Sequence, residues 1–134
     1  HALPHPNPGS STITLAYAAS TRYVPSYGIM SMAKAALECW TRELACHLGP
    51  EGHRINSISS GPIPTLAAAG IPGFDKILDH VAANSPLRRN VTQDDVAGTA
   101  LWLASHLSSG VTGQCIHVDA GFSITMVPES IMDS

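Results

Sequence analysis

Tyr27 and Lys34 stand seven residues apart in the stretch YGIMSMAK, and Tyr17 stands ten residues before Tyr27. A free tyrosine ionises near pH 10 and is a poor acid or base at neutral pH. An ammonium beside it favours the phenolate and lowers that value, and the same ammonium can grip the sugar hydroxyls of a nucleotide. A Tyr–Lys pair therefore predicts a proton donor with its electrostatic helper. Seven residues of α-helix turn through about 700° and rise about 10.5 Å, so both side chains share one face. Cα–Cβ bonds tilt toward the helix N-terminus, which leans Lys34 back toward Tyr27. Taken alone, such a spacing more often marks a partly buried ring and a solvated amine, so its neighbours must decide.

Those neighbours alternate between strand and helix. Residues 1–10 read as loop, with prolines, Asn7 and Gly9. STITLAY, 11–17, is β-branched and reads as a strand. From Ser26 to Leu48, Ile29, Ala33, Ala36, Leu37, Trp40, Leu44 and Leu48 recur at helical steps. Met32, Ala35 and Cys39 fall elsewhere on the wheel, so this helix is expected to be covered on two sides, as by a second subunit. Gly49 is placed to end it with a positive φ, and Pro50 cannot continue it.

RINSIS, 54–59, predicts a second strand, followed by the Gly/Pro loop SGPIPTLAAAGIPG with a small helical piece. Phe74–Ala83 predicts a helix. NVTQDDVAGTALWLASHL predicts another, with Thr92 as N-cap, Asp94 and Asp95 in its positive first turn, and Gly110 as its stop. QCIHVDAG, 114–121, reads as the last strand. Alternating strands and helices imply an α/β fold with a mainly parallel sheet, which places ligands beyond the carboxyl ends of its strands. Tyr17 and the loop SGPI would both open on that edge.

Composition narrows the function classes. Of 134 residues, 44% are hydrophobic and 13% charged, enough for one domain with a core rather than a disordered chain. The net charge of −3 comes with no basic run, so nucleic acid is not an expected partner. No apolar run reaches membrane-span length, and no apolar signal segment opens the chain. Cys39, Cys46 and Cys115 form no CxxC and fit a reducing cytosol. The seven histidines show no ligand spacing, so no metal site is expected.

Taken together, NPGSSTITLAY, YGIMSMAKAALE, LGPEGHRINSISSGPIPTLAAAGI and VTQDDVAGTALWLASHLSSGVTGQCIHVDAGFS stand in an order that resembles the C-terminal half of the bacterial enoyl-acyl-carrier-protein reductases. These are a divergent branch of the short-chain dehydrogenase/reductase superfamily. The commoner short-chain reductases, such as the 3-oxoacyl-carrier-protein reductases, use Tyr-x3-Lys. Here the residue four before Lys34 is Met30, and Tyr-x6-Lys with the second tyrosine at Tyr17 points to the enoyl branch.

The resemblance implies the C-terminal part of a Rossmann-like, doubly wound parallel sheet with flanking helices, in a cytoplasmic enzyme of fatty-acid synthesis. It implies NADH as cofactor, with NADPH open, acyl carrier protein as the carrier of the enoyl substrate, and a homo-oligomer, a tetramer in the family. By the same resemblance Tyr27 hydrogen-bonds the enolate that follows hydride addition, Lys34 holds the nicotinamide ribose, and Tyr17 lines the site. Ile63 offers its backbone to the carboxamide, Thr65 its hydroxyl to the pyrophosphate, and Pro64, Leu66 and Ala67 complete the cofactor loop. The segment from Leu66 to about Leu78 resembles a loop that closes over the acyl chain. Two departures stand out: Pro64 replaces a residue often basic, and Ala120 replaces a common glycine, where a positive φ would strain it.

No G-x-G-x-x-G occurs, so the pyrophosphate-binding turn of a dinucleotide fold is missing from these 134 residues. The chain is therefore expected to be a single partial domain, 1–134, with the adenine-binding half preceding His1. Two alternatives remain open: a non-catalytic oligomerisation module built on the two-faced helix, and another short-chain reductase.

Overall fold

Three parallel strands carry the structure. The computed structural model describes residues 9–66 and 68–127; the first eight positions of the expected N-terminal loop, and Ala67, lie outside the described residues. The strands are β1 (Ser11–Tyr17), β2 (Arg54–Ser60) and β3 (Cys115–Val118), in the order β1-β2-β3. The helices are α1 (Ile29–Leu48), α2 (Phe74–Asn84) and α3 (Gln93–Ala104). Parallel neighbours need crossover connections, and the helical segments between the strands supply them. α1 packs on β1 and β2, while α3 packs against all three strands.

Residues 55–59 of β2 are all buried, both those pointing up and those pointing down, so both faces of the central strand are covered. Ile55, Ile58, Leu103, Val81 and Val91 form the core. Asn56, buried with them, is bonded on both sides: it donates to the Val111 carbonyl at 2.9 Å and accepts from the Gln114 amide at 3.0 Å. Thr112 Oγ1 accepts from the Ile55 amide. Arg54 donates to the carbonyls of Ser105 and Ser108, tying the start of β2 to the turn after α3. His53 is buried with its Nδ1 at 2.9 Å from Ser10 Oγ.

Several boundaries differ from the sequence reading for local reasons. The helix predicted from Ser26 starts at Ile29, because Ser26 has φ 63° and Gly28 has φ 55° and ψ −133°. Both conformations interrupt a helix, and that of Gly28 is one only glycine adopts without strain. Gly49 is right-handed, φ −55°; the chain makes one more tight turn over Gly49–Glu51, and Gly52 takes the left-handed φ of 83°. α3 ends at Ala104, before Gly110, because Ser105 is extended and a short turn follows at His106–Ser108.

β3 stops at Val118 because the buried Asp119 carboxylate accepts from the amides of Gly121 and Ser123, curling the chain into a turn. Ala120 in that turn has φ 57°, the strained conformation considered for it from sequence, and Gly121 has φ 82°. A Cβ on Gly121 would also meet Pro86 at 2.8 Å.

Thr92 caps α3 as predicted, in a reciprocal pair with Asp95: each side chain accepts from the other residue's amide. Arg89 adds a two-pronged ion pair to the same carboxylate, at 2.6 and 3.1 Å. The Arg89 hydrogen bond, and after it the Thr92 amide, hold the Asp95 carboxyl well below the usual carboxylate range.

Three outcomes are expected. Thr92→Ala should lower the unfolding free energy of the intact protein by about 1 kcal/mol in denaturant melts. Because the folded-state pKa of Asp95 is depressed, its stabilisation is complete above the ordinary value of 3.8 and drains away as pH falls below it. Asp95→Asn should accordingly flatten the acid limb of stability against pH; an unchanged limb would remove Asp95 from this role. Gly28→Ala should destabilise by about 1–3 kcal/mol through backbone strain alone, since nothing lies within 4 Å of the added methyl. A cost near zero in the same melts would mean that the backbone relaxes.

Candidate active site

The three strands run out together at one edge, where Tyr17 pairs with Ser60 and Ser60 with Val118. Three segments leave there: the turn Ala18–Ser20 after β1, the loop from Gly61 after β2, and the turn at Asp119–Gly121 after β3. They are fastened to one another. The Gly61 amide donates to the Val118 carbonyl at 2.9 Å, and the Arg22 guanidinium donates to the Ser123 carbonyl at 2.6 Å. Gly61 has no room for a side chain that does not push its neighbours: a Cβ there would sit 3.2 Å from Val91 and 3.3 Å from Asp119.

Tyr17 and Tyr27 meet at this edge. Their ring centroids are 5.1 Å apart and tilted by 42°. Tyr27 lies before α1, not on it, so the shared-face geometry drawn from sequence does not apply. Its position comes from the loop instead: its amide donates to the Val24 carbonyl and its carbonyl accepts from Met30.

Lys34 does sit on α1, in its second turn. Its Nζ donates to the Leu15 carbonyl at 2.8 Å, two residues before Tyr17. This alters the expected electrostatics. The sequence predicts a Tyr27 phenol lowered by Lys34; burial instead raises it above its usual 10, and burial followed by the neighbouring Tyr27 raises Tyr17. Both phenols are therefore neutral at physiological pH and able to donate a hydrogen bond.

The loop after β2 places Ile63 and Pro64 in the wall of a cleft of about 570 Å³, facing Asn90, the cap residue Thr92 and the first residues of α3, Gln93 and Asp94. Thr65 Oγ1 accepts from the Ala68 amide at 3.2 Å, which keeps its own proton for a further acceptor. Leu66 is almost wholly exposed. Ala67, the last residue of the predicted cofactor loop, lies outside the described residues. Tyr17, Tyr27 and Lys34 thus come together around the end of β1, while Ile63, Pro64 and Thr65 occupy the next loop along the same edge.

One contact was missed from sequence. Ser20 donates its hydroxyl to Glu38, one helical turn beyond Lys34 on the same face of α1. The i, i+4 spacing of Lys34 and Glu38 is the signal that could have revealed it. Among the described residues no three His, Cys, Asp or Glu side chains gather as metal ligands, and no helix is long and apolar enough to cross a membrane.

Comparison with known proteins agrees with this architecture. The family described as Enoyl-(Acyl carrier protein) reductase matches residues 1–123. The NADH-dependent enoyl-[acyl-carrier-protein] reductase of Escherichia coli (strain K12) is 50% identical over 123 residues, covering 92% of this chain and 47% of that protein. The crystal structure of the Bacillus cereus enoyl-acyl carrier protein reductase, in complex with NADP+ and indole naphthyridinone, superposes with a TM-score of 0.87 at 45% identity. It covers 89% of this chain and 46% of its own. The Anaplasma phagocytophilum reductase in complex with NAD gives 0.82 at 42% identity, over 90% of this chain and 44% of its own. The chain spans about half the length of the curated relatives it matches. With a family match over 1–123 and the same parallel sheet, the chain belongs to the enoyl-acyl-carrier-protein reductase family.

Proposed function

We propose that this chain carries the proton-donating half of an enoyl-acyl-carrier-protein reductase, acting on a trans-2-enoyl thioester in fatty-acid synthesis. The adenine-binding half is carried by residues outside the 134. The observation that supports this reading best is the pair of neutral phenols tilted against each other at the ligand edge of the sheet, with Lys34 fastened to the Leu15 carbonyl of the same strand.

The chemistry follows from that arrangement. Reduction of the β-carbon takes a hydride, which a nicotinamide supplies when bound. Negative charge then develops on the thioester oxygen. Tyr27 donates a hydrogen bond to that oxygen, an interaction strong only once the charge has formed, so it lowers the barrier rather than merely tightening binding. Its raised pKa keeps the phenol a donor throughout the neutral range. Tyr17 packs the ring of Tyr27 and shields it from water.

The donor set suits a nicotinamide dinucleotide. Lys34 commits one of its three N–H donors to Leu15 and offers the others to ribose hydroxyls. Thr65 keeps a hydroxyl proton for a phosphate oxygen, and Ile63 brings backbone polar groups to the cleft wall. NADH is the reading favoured by the relative's name, and a relative bound to NADP+ keeps NADPH in view. The enoyl group arrives on acyl carrier protein in the cytoplasm. Ile29, Met32, Trp40 and Leu44 are exposed on α1 and suit a homo-oligomer.

In the intact protein, Tyr27→Phe should lower kcat on a trans-2-enoyl thioester by about 10²-fold with the Kd for NADH unchanged. An unchanged kcat would sink this role for Tyr27. Lys34→Ala should raise the Kd for NADH by about tenfold or more in calorimetry, the loss expected for hydrogen bonds from a charged donor; an unchanged Kd would count against Lys34 as a ribose ligand. Sedimentation of the intact protein should give an oligomer, and a monomer would contradict the part assigned to α1.

A further inference from the structure

The backbone of Tyr27 is held by hydrogen bonds to Val24 and Met30, but no regular element fixes where its ring points. It precedes α1 and lies between Ser26 and Gly28, both at positive φ. The ring of Tyr17 is the aromatic surface it rests on, so the aim of the Tyr27 hydroxyl depends on how firmly Tyr17 is held. Tyr17 is the last residue of β1, and the turn Ala18–Ser20 follows it directly.

α1 grips the chain on both sides of Tyr17. Lys34 Nζ donates to the carbonyl of Leu15, two residues before it. Glu38, one turn later on the same helix face, accepts the hydroxyl hydrogen bond of Ser20, three residues after it. A hydrogen bond to a carboxylate is about twice as strong as one between neutral groups. The same carboxylate also bears on the Cys115 thiol of β3. Burial pushes the thiol up, Ser57 pulls it part of the way back, and the Glu38 carboxylate adds to the upward push. Cys115 therefore stays a neutral thiol, and the Ser20 hydroxyl ties Glu38 to the turn after β1.

We propose that Glu38 is a positioning residue for the phenol pair: through Ser20 it fixes the turn after β1, which holds Tyr17 against Tyr27 and sets the direction of the Tyr27 hydroxyl. This rests on the proposed role of Tyr27 as the donor to the enolate. A donor displaced by about 1 Å loses up to 10²-fold in rate, whereas ground-state binding is little affected.

The test is made in the intact protein with Ser20→Ala, Glu38→Ala and Glu38→Gln. Glu38→Ala and Ser20→Ala should each lower kcat by about tenfold, with KM for NADH and for the enoyl thioester changed less than about twofold. The double variant should be no worse than Glu38→Ala, because both remove one bond. Glu38→Gln keeps an oxygen that accepts from Ser20, so kcat should return to within about threefold of the parent.

A second readout does not need the reaction. In protein labelled with 3-fluorotyrosine, the ¹⁹F resonances of Tyr17 and Tyr27 are assigned by their loss in Tyr17→Phe and Tyr27→Phe. Both should move in Glu38→Ala and Ser20→Ala and return in Glu38→Gln. A Tyr17 resonance unmoved by Glu38→Ala and Ser20→Ala overturns the proposal, as does a Glu38→Gln as slow as Glu38→Ala. If Glu38→Ala does not fold, Ser20→Ala and Glu38→Gln decide between the same outcomes. If the unsubstituted protein does not reduce the thioester, the proposed function fails, and the fluorine shifts alone judge the part given to Glu38.

Discussion

The site depends on the register in which three parallel strands end together, with Tyr17 opposite Ser60 and Ser60 opposite Val118. Side chains alternate across a sheet, so a slip of one residue in β1 would turn Tyr17 to the opposite face and leave Tyr27 without its partner. β3 has only four residues to hold its part of this register. The rest is supplied by groups standing in for a longer ladder. Asn56 spans from Val111 to Gln114, Thr112 receives the Ile55 amide, and the Gly113 amide donates to the Ile55 carbonyl at 2.7 Å. A buried asparagine in the central strand looks wasteful as packing, but it fixes where β3 begins, and through that where all three strands end.

The electrostatics of the edge differ from those of a catalytic base. A phenol lowered by an adjacent ammonium would be partly ionised and would take up a proton. Here burial acts on both rings, and the Lys34 ammonium is engaged with a backbone carbonyl. What results is a pair of protonated donors, a state suited to meeting negative charge that forms on another molecule. Lys34 serves the fold and the proposed cofactor contact through different N–H groups of one ammonium, which is possible because the ammonium carries three.

How much of this could be read from the chain varies with the range of the interaction responsible. The strands, the three main helices and the Thr92 cap depend on local pattern and were legible. The failures are places where a local turn or a short-range side-chain bond overrides the pattern. Gly49 has the sequence of a helix stop, yet one further tight turn moves the left-handed residue to Gly52. VDAG continues an apolar strand on paper, but the Asp119 carboxylate captures two amides downstream and ends β3 early. Tyr27 fits a helical period, and the positive φ of Ser26 and Gly28 removes it from the helix. In each case the decisive group is a glycine or a short polar residue whose two conformations look alike in a sequence. The family resemblance survived these errors because order and spacing of several motifs do not depend on any one boundary.

α1 reverses the usual arrangement of an amphipathic helix. Toward the sheet it turns Lys34, Glu38, Thr41 and Ala45, and away from it Ile29, Met32, Trp40 and Leu44, with Met32 70% and Trp40 61% exposed. A helix built only for stability would place its large apolar side chains inward, where each contributes about 1.5–3 kcal/mol. The inward face is instead given to polar groups that hold the end of β1, and only small or polar residues such as Ala45 and Thr41 let the helix approach closely enough for Lys34 and Glu38 to reach it. The apolar side chains are left on the outside, where they gain nothing until another surface covers them. Holding the end of β1 and leaving an apolar face exposed are thus two consequences of one choice, the assignment of α1's polar stripe to the sheet.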